Sequence, residues 1–282
     1  MDKEAANMIE ILKAVLFGII EGITEWLPIS STGHMILLEE FVKIQPEEFF
    51  ELFEVVIQLG AIMAVVVLYF KSIWPLKKKK GKLYFDKNIL DLWGKILVAC
   101  VPAAIIGLLL DDWIDDHFYN SIVVSLALII YGVIFIVLEN KKIGSRKTKG
   151  VNQITYKQAL QIGIFQLLAL IPGTSRSGST IIGGLIIGLE RATAAEFTFF
   201  LAIPVMAGAS LLKLFKYLKA GFVFSGLQMG VLIVASITAF VVSMFVIKFL
   251  INYIRKHDFK VFGYYRIALG ILVLLTFLIM MK

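Results

Sequence analysis

Cysteine is almost missing from this sequence. The one thiol, Cys100, excludes a disulfide within the chain and argues against a thiolate metal cluster. Set in an apolar run, it reads as a small buried hydrophobe. Charge is scarce as well, at 17% of residues, where a soluble domain carries about 25%. No cleavable leader is expected, because the first apolar run lacks a basic flank and a small-residue cleavage site. The net charge of +7 does not point to nucleic acid, because the basic residues gather in two loops between apolar runs.

What is present is hydrophobic, 59% of the chain. A bilayer crossing takes about 20 apolar residues. Runs at 53–70, 89–110, 122–138, 197–215, 229–250 and 262–281 meet that need. The runs at 8–20 and 32–42 are shorter and flank a polar break; those at 159–171 and 180–189 do the same. Each short pair reads as a re-entrant hairpin, with half-length helices meeting inside the membrane. The spacing predicts an exposed turn at 45–48, a basic loop at 71–88, an acidic loop at 111–116 and a second basic loop at 140–157.

The two polar breaks are related. Gly18, Glu21, Ser30, Thr32 and Gly33 align at a constant offset with Gly163, Gln166, Ser175, Ser177 and Gly178. Glu54 matches Glu196, and Pro28 matches Pro172 with a one-residue slip. The expected fold is therefore an all-α polytopic membrane protein with an inverted-topology repeat. Each half holds one re-entrant hairpin and three transmembrane helices. The halves are 1–140 and 158–282, joined by a basic linker at 141–157. Lysine and arginine favour the cytoplasmic side. That rule puts the N-terminus outside and both basic loops inside, with Lys216 and Lys219 as the discordant residues. The hairpins then enter from opposite faces.

Chemistry concentrates in the breaks. Glu21 and Glu25 are four residues apart, so they share a helix face. Such a pair shares a proton or holds a cation, and oxygen donors suit Mg²⁺ or Ca²⁺. The blander reading is two interfacial carboxylates facing water. Ser30, Ser31 and Thr32 open a helix, where N–H groups and the dipole favour an anion; plain capping is compatible with that. His34 is a candidate acid, base or nucleophile, or a packed histidine. Ser175, Arg176, Ser177 and Thr180 open the opposing half-helix. A guanidinium at membrane depth needs an anion, either a phosphate or Glu21 or Glu25. These groups converge on a phosphate or diphosphate ligand. The lysine run at 77–80 reads as a topology signal first and an anionic-lipid contact second. The 111–116 aspartates with His117 read as a solvated outer loop. Gly184 and Gly188 form a small-residue packing pair, and Arg266 snorkels or pairs near a helix end, with a substrate role left open.

Glu21-Gly-x-Thr-Glu25, Leu27-Pro28-x-Ser-Ser-Thr-Gly-His34 and Pro172-Gly-x-Ser-Arg-Ser-Gly178 resemble the bacterial undecaprenyl-diphosphate phosphatases linked to bacitracin resistance. The stretch 53–60 and Tyr265-Arg266 extend the likeness over nearly the whole chain. The resemblance implies hydrolysis of a long-chain isoprenyl diphosphate to its monophosphate with Mg²⁺ or Ca²⁺, which recycles the carrier of cell-wall peptidoglycan synthesis. It implies a bacterial plasma membrane location with the site open to the outer face. By the family motifs, Glu21, Glu25, Ser31, His34 and Arg176 carry catalysis, with Glu21 and Glu25 on the metal. Ser30, Thr32, Ser175, Arg176, Ser177 and Thr180 would hold phosphate. Nucleophilic Ser31, nucleophilic His34 and direct water attack all stay open. A homo-oligomer is compatible with this reading. A transporter or flippase for a phosphorylated isoprenoid lipid is the alternative. The two-histidine membrane phosphatases fit poorly, because the chain has only His34, His117 and His257.

Overall fold

The computed structural model describes residues 3–118, 120–142 and 147–280. Its helices are α1 Lys3–Thr24, α2 Ser31–Glu39, α3 Glu47–Leu68, α4 Phe70–Ile73, α5 Lys87–Phe118, α6 Ser121–Asn140, α7 Tyr156–Gln166, α8 Arg176–Ile186, α9 Arg191–Lys219, α10 Gly226–Lys256 and α11 Lys260–Met280. Among the described residues, six of these (α3, α5, α6, α9, α10 and α11) are long and apolar enough to cross a membrane. They match the six runs read from sequence. Their outer faces expose Val101, Ile105, Leu109, Phe245, Phe249 and Leu275, a surface suited to lipid.

Several boundaries differ from expectation. The first hairpin helix is not half-length: α1 has 22 residues and rises about 33 Å at 1.5 Å per residue. Glu21 therefore lies inside a helix. A carboxylate does not stop a helix, whereas Pro28 restricts the backbone just ahead of it. The turn at 45–48 is shorter than predicted, because Glu47 and Glu48 form the first turn of α3, where negative charge suits the helix dipole. The 111–116 segment is helix, not loop, and α5 runs on to Phe118. The stop comes at Asn120, whose side chain accepts from Val123 N and caps α6. The side chains of that aspartate cluster lie outside the described residues.

The basic loop at 71–88 contains a β-hairpin, β1 Leu76–Lys79 paired antiparallel with β2 Lys82–Phe85. The second basic loop is pinned where it is described. Thr148 bridges to Leu189, and Gly150 N donates to Thr193 Oγ1 at 2.7 Å. Arg146 lies outside the described residues. Nearby, Arg191 forks onto buried Glu139 at 2.8 and 2.6 Å, tying α6 to α9.

Close helix contacts come in matching pairs. α1 packs on α10 and α7 packs on α5. Gly18 lets the first pair approach, since a Cβ there would sit 2.5 Å from Ala235 O; Gly163 does the same against Ala99 O at 2.3 Å. A Cβ on Gly132 of α6 or on Gly263 of α11 would sit 2.7 Å from the other's carbonyl oxygen. The Gly184/Gly188 pair does not act as one packing stripe. Gly184 packs on Ala194, whereas Gly188 has φ +100° and turns the chain out of α8.

Candidate active site

Both breaks end in the same local geometry. Ser30 has φ 73°, ψ 105°, and its side chain accepts from Gly33 N; Ser175 has φ 70°, ψ 122°, and accepts from Gly178 N. Positive φ is unfavourable for a residue with a Cβ and costs about 1–3 kcal/mol. The surrounding contacts must hold both serines there. Gly173, at φ +88°, has no room for a Cβ, because Val124 O would lie 2.6 Å away.

One arginine joins the two breaks. Arg266 of α11 is fully buried; Nη1 donates to Pro28 O at 3.2 Å, and Nη2 donates to Gly173 O at 2.9 Å and Thr174 O at 3.0 Å. Its guanidinium lies 5.7 Å from the Tyr131 ring centroid. This overturns the snorkelling expectation: carbonyl dipoles from both hairpins satisfy a charge that would otherwise be costly to bury. A second tie comes from Ser177, whose Oγ donates to Glu25 O at 3.1 Å and approaches Leu27 O at 3.3 Å.

Between the breaks lies a cavity of about 200 Å³. Glu25, Ser31, Thr32, Ser175 and Arg176 line it, so the structure brings these predicted residues together. Gln58, Ala103 and Val205 line it too, each about half-way along α3, α5 or α9. Arg176 Nη2 donates to Glu25 Oε1 at 2.9 Å, Nη1 donates to Thr198 O at 3.0 Å, and Ser31 Oγ donates to Glu25 Oε2 at 3.0 Å. Glu25 thus links the arginine of one hairpin to a serine of the other.

The remaining predicted residues sit around this centre. Ser30 is buried in its cap. Thr180 Oγ1 donates to Arg176 O at 2.9 Å and accepts from Thr198 Oγ1 at 2.8 Å, which braces the arginine from behind. Ser177 lies 3.1 Å from Ser175 between their hydroxyl oxygens. His34 does not line the cavity. Its Nδ1 is 2.7 Å from Ser30 O and its Nε2 is 2.7 Å from the Tyr265 hydroxyl. A carbonyl only accepts, so Nδ1 carries the proton, and in the neutral ring Nε2 accepts from Tyr265.

A hard divalent cation is commonly held by one or two carboxylates plus substrate phosphate oxygens. The residues present fit that need. Glu21 is 1% exposed, and its Oε1 has no hydrogen-bond partner. It lies within electrostatic range of Glu25, Glu54 and Arg176. Among the described residues no larger group of His, Cys, Asp or Glu gathers to hold a metal.

The family model described as bacitracin resistance protein BacA matches residues 14–272. The chain belongs to that family. An undecaprenyl-diphosphatase of Enterococcus faecalis is 56% identical over 96% of this chain and 98% of its own length. One from Desulfitobacterium hafniense is 55% identical over 96% and 97%, and undecaprenyl-diphosphatase 1 of Clostridioides difficile is 55% identical over 98% and 100%. With its six apolar helices, this BacA-family chain is a multi-pass membrane protein.

Sequence reading missed three features of the site. Tyr265 and Arg266 showed in the family likeness, but nothing in the sequence placed Tyr265 on His34 or Arg266 between the two breaks. Gln166 appeared as the repeat partner of Glu21, yet it was not weighed as a ligand.

Proposed function

We propose that this chain hydrolyses undecaprenyl diphosphate to undecaprenyl phosphate and inorganic phosphate. That reaction recycles the cell-wall lipid carrier and confers resistance to bacitracin. The observation that carries the proposal is the linked group Arg176, Glu25 and Ser31, facing one cavity between two helix starts. Relatives over half identical across nearly the full chain bear the name undecaprenyl-diphosphatase.

Arg176 and the N–H groups opening α2 and α8 bind the terminal phosphate and offset charge that builds in the transition state. Ser31 is the nucleophile. Its Oγ attacks the terminal phosphorus while Glu25 takes its proton. The bond from that phosphorus to the bridging oxygen breaks, and undecaprenyl phosphate departs with that oxygen. Glu25 passes the serine proton to that departing oxygen; it then takes a proton from water as the water attacks phosphorus, and returns it to the Ser31 oxygen as inorganic phosphate leaves. The geometry supports Ser31 over His34, because both ring nitrogens of His34 are held away from the cavity. His34 instead fixes the α2 start through Ser30 O. Glu21 and Glu25 would hold a Mg²⁺ or Ca²⁺ ion, which supplies charge neutralisation on the diphosphate.

The membrane placement is part of the same reading. The matching contacts of α1 with α10 and of α7 with α5 support an inverted repeat of 1–140 against 158–282. The cavity lies mid-way along three spans, which suits a lipid headgroup drawn in from the side. Loop charge supports an opening to the outer face. The inverted repeat also favours a second reading, translocation of a phosphorylated isoprenoid lipid.

The test uses purified protein and a long-chain isoprenyl diphosphate labelled at its terminal phosphate. Cation-dependent phosphate release, with label trapped on Ser31, is expected. Label on His34 would overturn the assigned nucleophile. Absence of any release would sink the hydrolase and leave translocation.

A further inference from the structure

Gln166 ends α7, is 2% exposed and lines the cavity. Neither its Oε1 nor its Nε2 has a hydrogen-bond partner. An unsatisfied buried polar atom costs about 1–3 kcal/mol, so a side chain with two of them is not there for packing. Arg176 Nε and Glu21 Oε1 are unpartnered in the same way. The unpartnered atoms at the cavity wall are thus two N–H donors, on Arg176 and Gln166, and one oxygen acceptor, on Gln166; Glu21, one turn before Glu25, stands behind the wall. That set is the negative image of a phosphate beside a cation. Among the described residues, the other unpartnered buried side-chain atoms, Glu21 Oε1, Trp26 Nε1 and Arg266 Nε, belong to residues outside the cavity wall.

We propose that Gln166 is a substrate-binding residue, donating through Nε2 to a diphosphate oxygen and turning Oε1 toward the cation side shared with Glu21. The repeat explains the residue type. Gln166 stands where the first hairpin has Glu21. A carboxamide keeps the oxygen and adds a donor, whereas a further carboxylate would repel the phosphate. This inference rests on the diphosphate reading above.

The test compares wild type with Gln166→Leu. Calorimetric titration of the purified proteins with inorganic diphosphate and Mg²⁺ should show affinity at least about tenfold weaker in the variant, the effect of losing one charge-assisted hydrogen bond. Thermal unfolding without ligand should shift upward, because the variant removes two unsatisfied polar atoms. A structural role predicts the opposite, a lower midpoint. Unchanged affinity or a lowered midpoint would overturn the proposal. Wild type that binds diphosphate yet releases no phosphate from the lipid substrate would fail the function and leave the Gln166 site standing.

A second inference comes from the β1–β2 hairpin. Leu76 faces Phe85 and Lys78 faces Leu83 across the ladder, and Lys77 faces Tyr84 and Lys79 faces Lys82. Opposed residues share a face and successive ones alternate. One face therefore carries Leu76, Leu83 and Phe85 with a single lysine, Lys78, and the other carries Lys77, Lys79 and Lys82 with Tyr84. Leu83 is 67% exposed and Phe85 63%. The hairpin leaves the end of one apolar span and enters the next. At its base Phe70 and Trp74 stack at 5.3 Å, both half-exposed, as aromatics do at a membrane interface. We infer that this hairpin docks on the anionic bilayer surface around the protein. Its apolar face seats at the acyl boundary and its lysines meet acidic headgroups.

A fluorophore on Leu83→Cys in a Cys100→Ser background, with the full chain in vesicles, tests this. Brominated lipid should quench it at least about twofold more strongly with 30% phosphatidylglycerol than with phosphatidylcholine alone, given about 1 kcal/mol per lysine near such a surface. Replacing Lys77, Lys79 and Lys82 with Gln should remove that difference. Equal quenching in both lipids, or a difference that survives the lysine changes, would overturn it.

Discussion

Helix α8 buries every side chain from Ser177 to Leu185, whereas α2 buries only Gly33 and Met35. Yet both start from a serine cap at nearly the same positive φ. Helix α8 packs between α7 and α9 in the core, whereas α2 rests on α1, α6 and α11. The repeat has kept the turn and divided the work. The buried hairpin holds an arginine in fixed position, braced by Thr180 and Thr198. The outer hairpin brings Glu21, Glu25 and Ser31, the groups proposed above to act in turnover.

Four substitutions strike this division, in falling order of effect. Arg176→Ala removes the anion holder and leaves Glu25 buried without its partner. Turnover should fall by about a thousandfold or more, as for arginines that stabilise phosphoryl transfer. Stability should fall by about 3–5 kcal/mol, the cost of a broken buried pair. Phosphate release and thermal unfolding check both, and near-normal turnover would erase the contrast between the hairpins. Ser31→Ala should lower turnover by at least about a hundredfold. His34→Ala should cost less, because it acts through the α2 start. Reversal of that order in steady-state kinetics would move the nucleophile. Glu21→Gln should raise the Mg²⁺ concentration needed for half-maximal activity by about tenfold, since it weakens one of two carboxylate ligands. A cation titration reads this directly, and an unchanged midpoint would overturn the proposed carboxylate site for the cation.

The sequence carried much of this and missed the rest for identifiable reasons. The six spans were legible because lipid demands continuous apolar runs. The gathering of Glu25, Ser31, Thr32, Ser175 and Arg176 was legible because the repeat aligned two polar breaks. The length of α1 was not: the apolar run covers only 8–20, whereas the helix continues through polar residues on both sides, from Lys3 to Thr24. The β-hairpin was masked by its lysines, which read as a topology signal before they read as strands. Arg266 could not be placed from its own neighbours, because its partners Pro28, Gly173 and Thr174 come from two distant loops. The positive φ of the two serines is likewise set by tertiary contact, since serine caps ordinarily lie in the β region.

Those serines supply the smallest predicted effect and the closest test of the shared turn. Glycine adopts positive φ without strain. Ser30→Gly and Ser175→Gly would each relieve about 1–3 kcal/mol of backbone strain, while replacing a serine cap by glycine costs only a few tenths of a kcal/mol. Both variants should therefore unfold at the same or a slightly higher temperature than wild type. Alanine at either position keeps the strain and loses the cap, and should cost about 1 kcal/mol. If the two turns are copies of one device, the two positions give equal shifts in thermal unfolding. Activity should separate them. Ser175 lines the cavity and Ser30 does not, so Ser175→Gly should raise KM for the diphosphate several-fold, and Ser30→Gly should leave it unchanged. Unequal stability shifts would mean that the matching angles arise from different packing in each half. Equal KM values would mean that the Ser175 hydroxyl serves only its cap to Gly178 N.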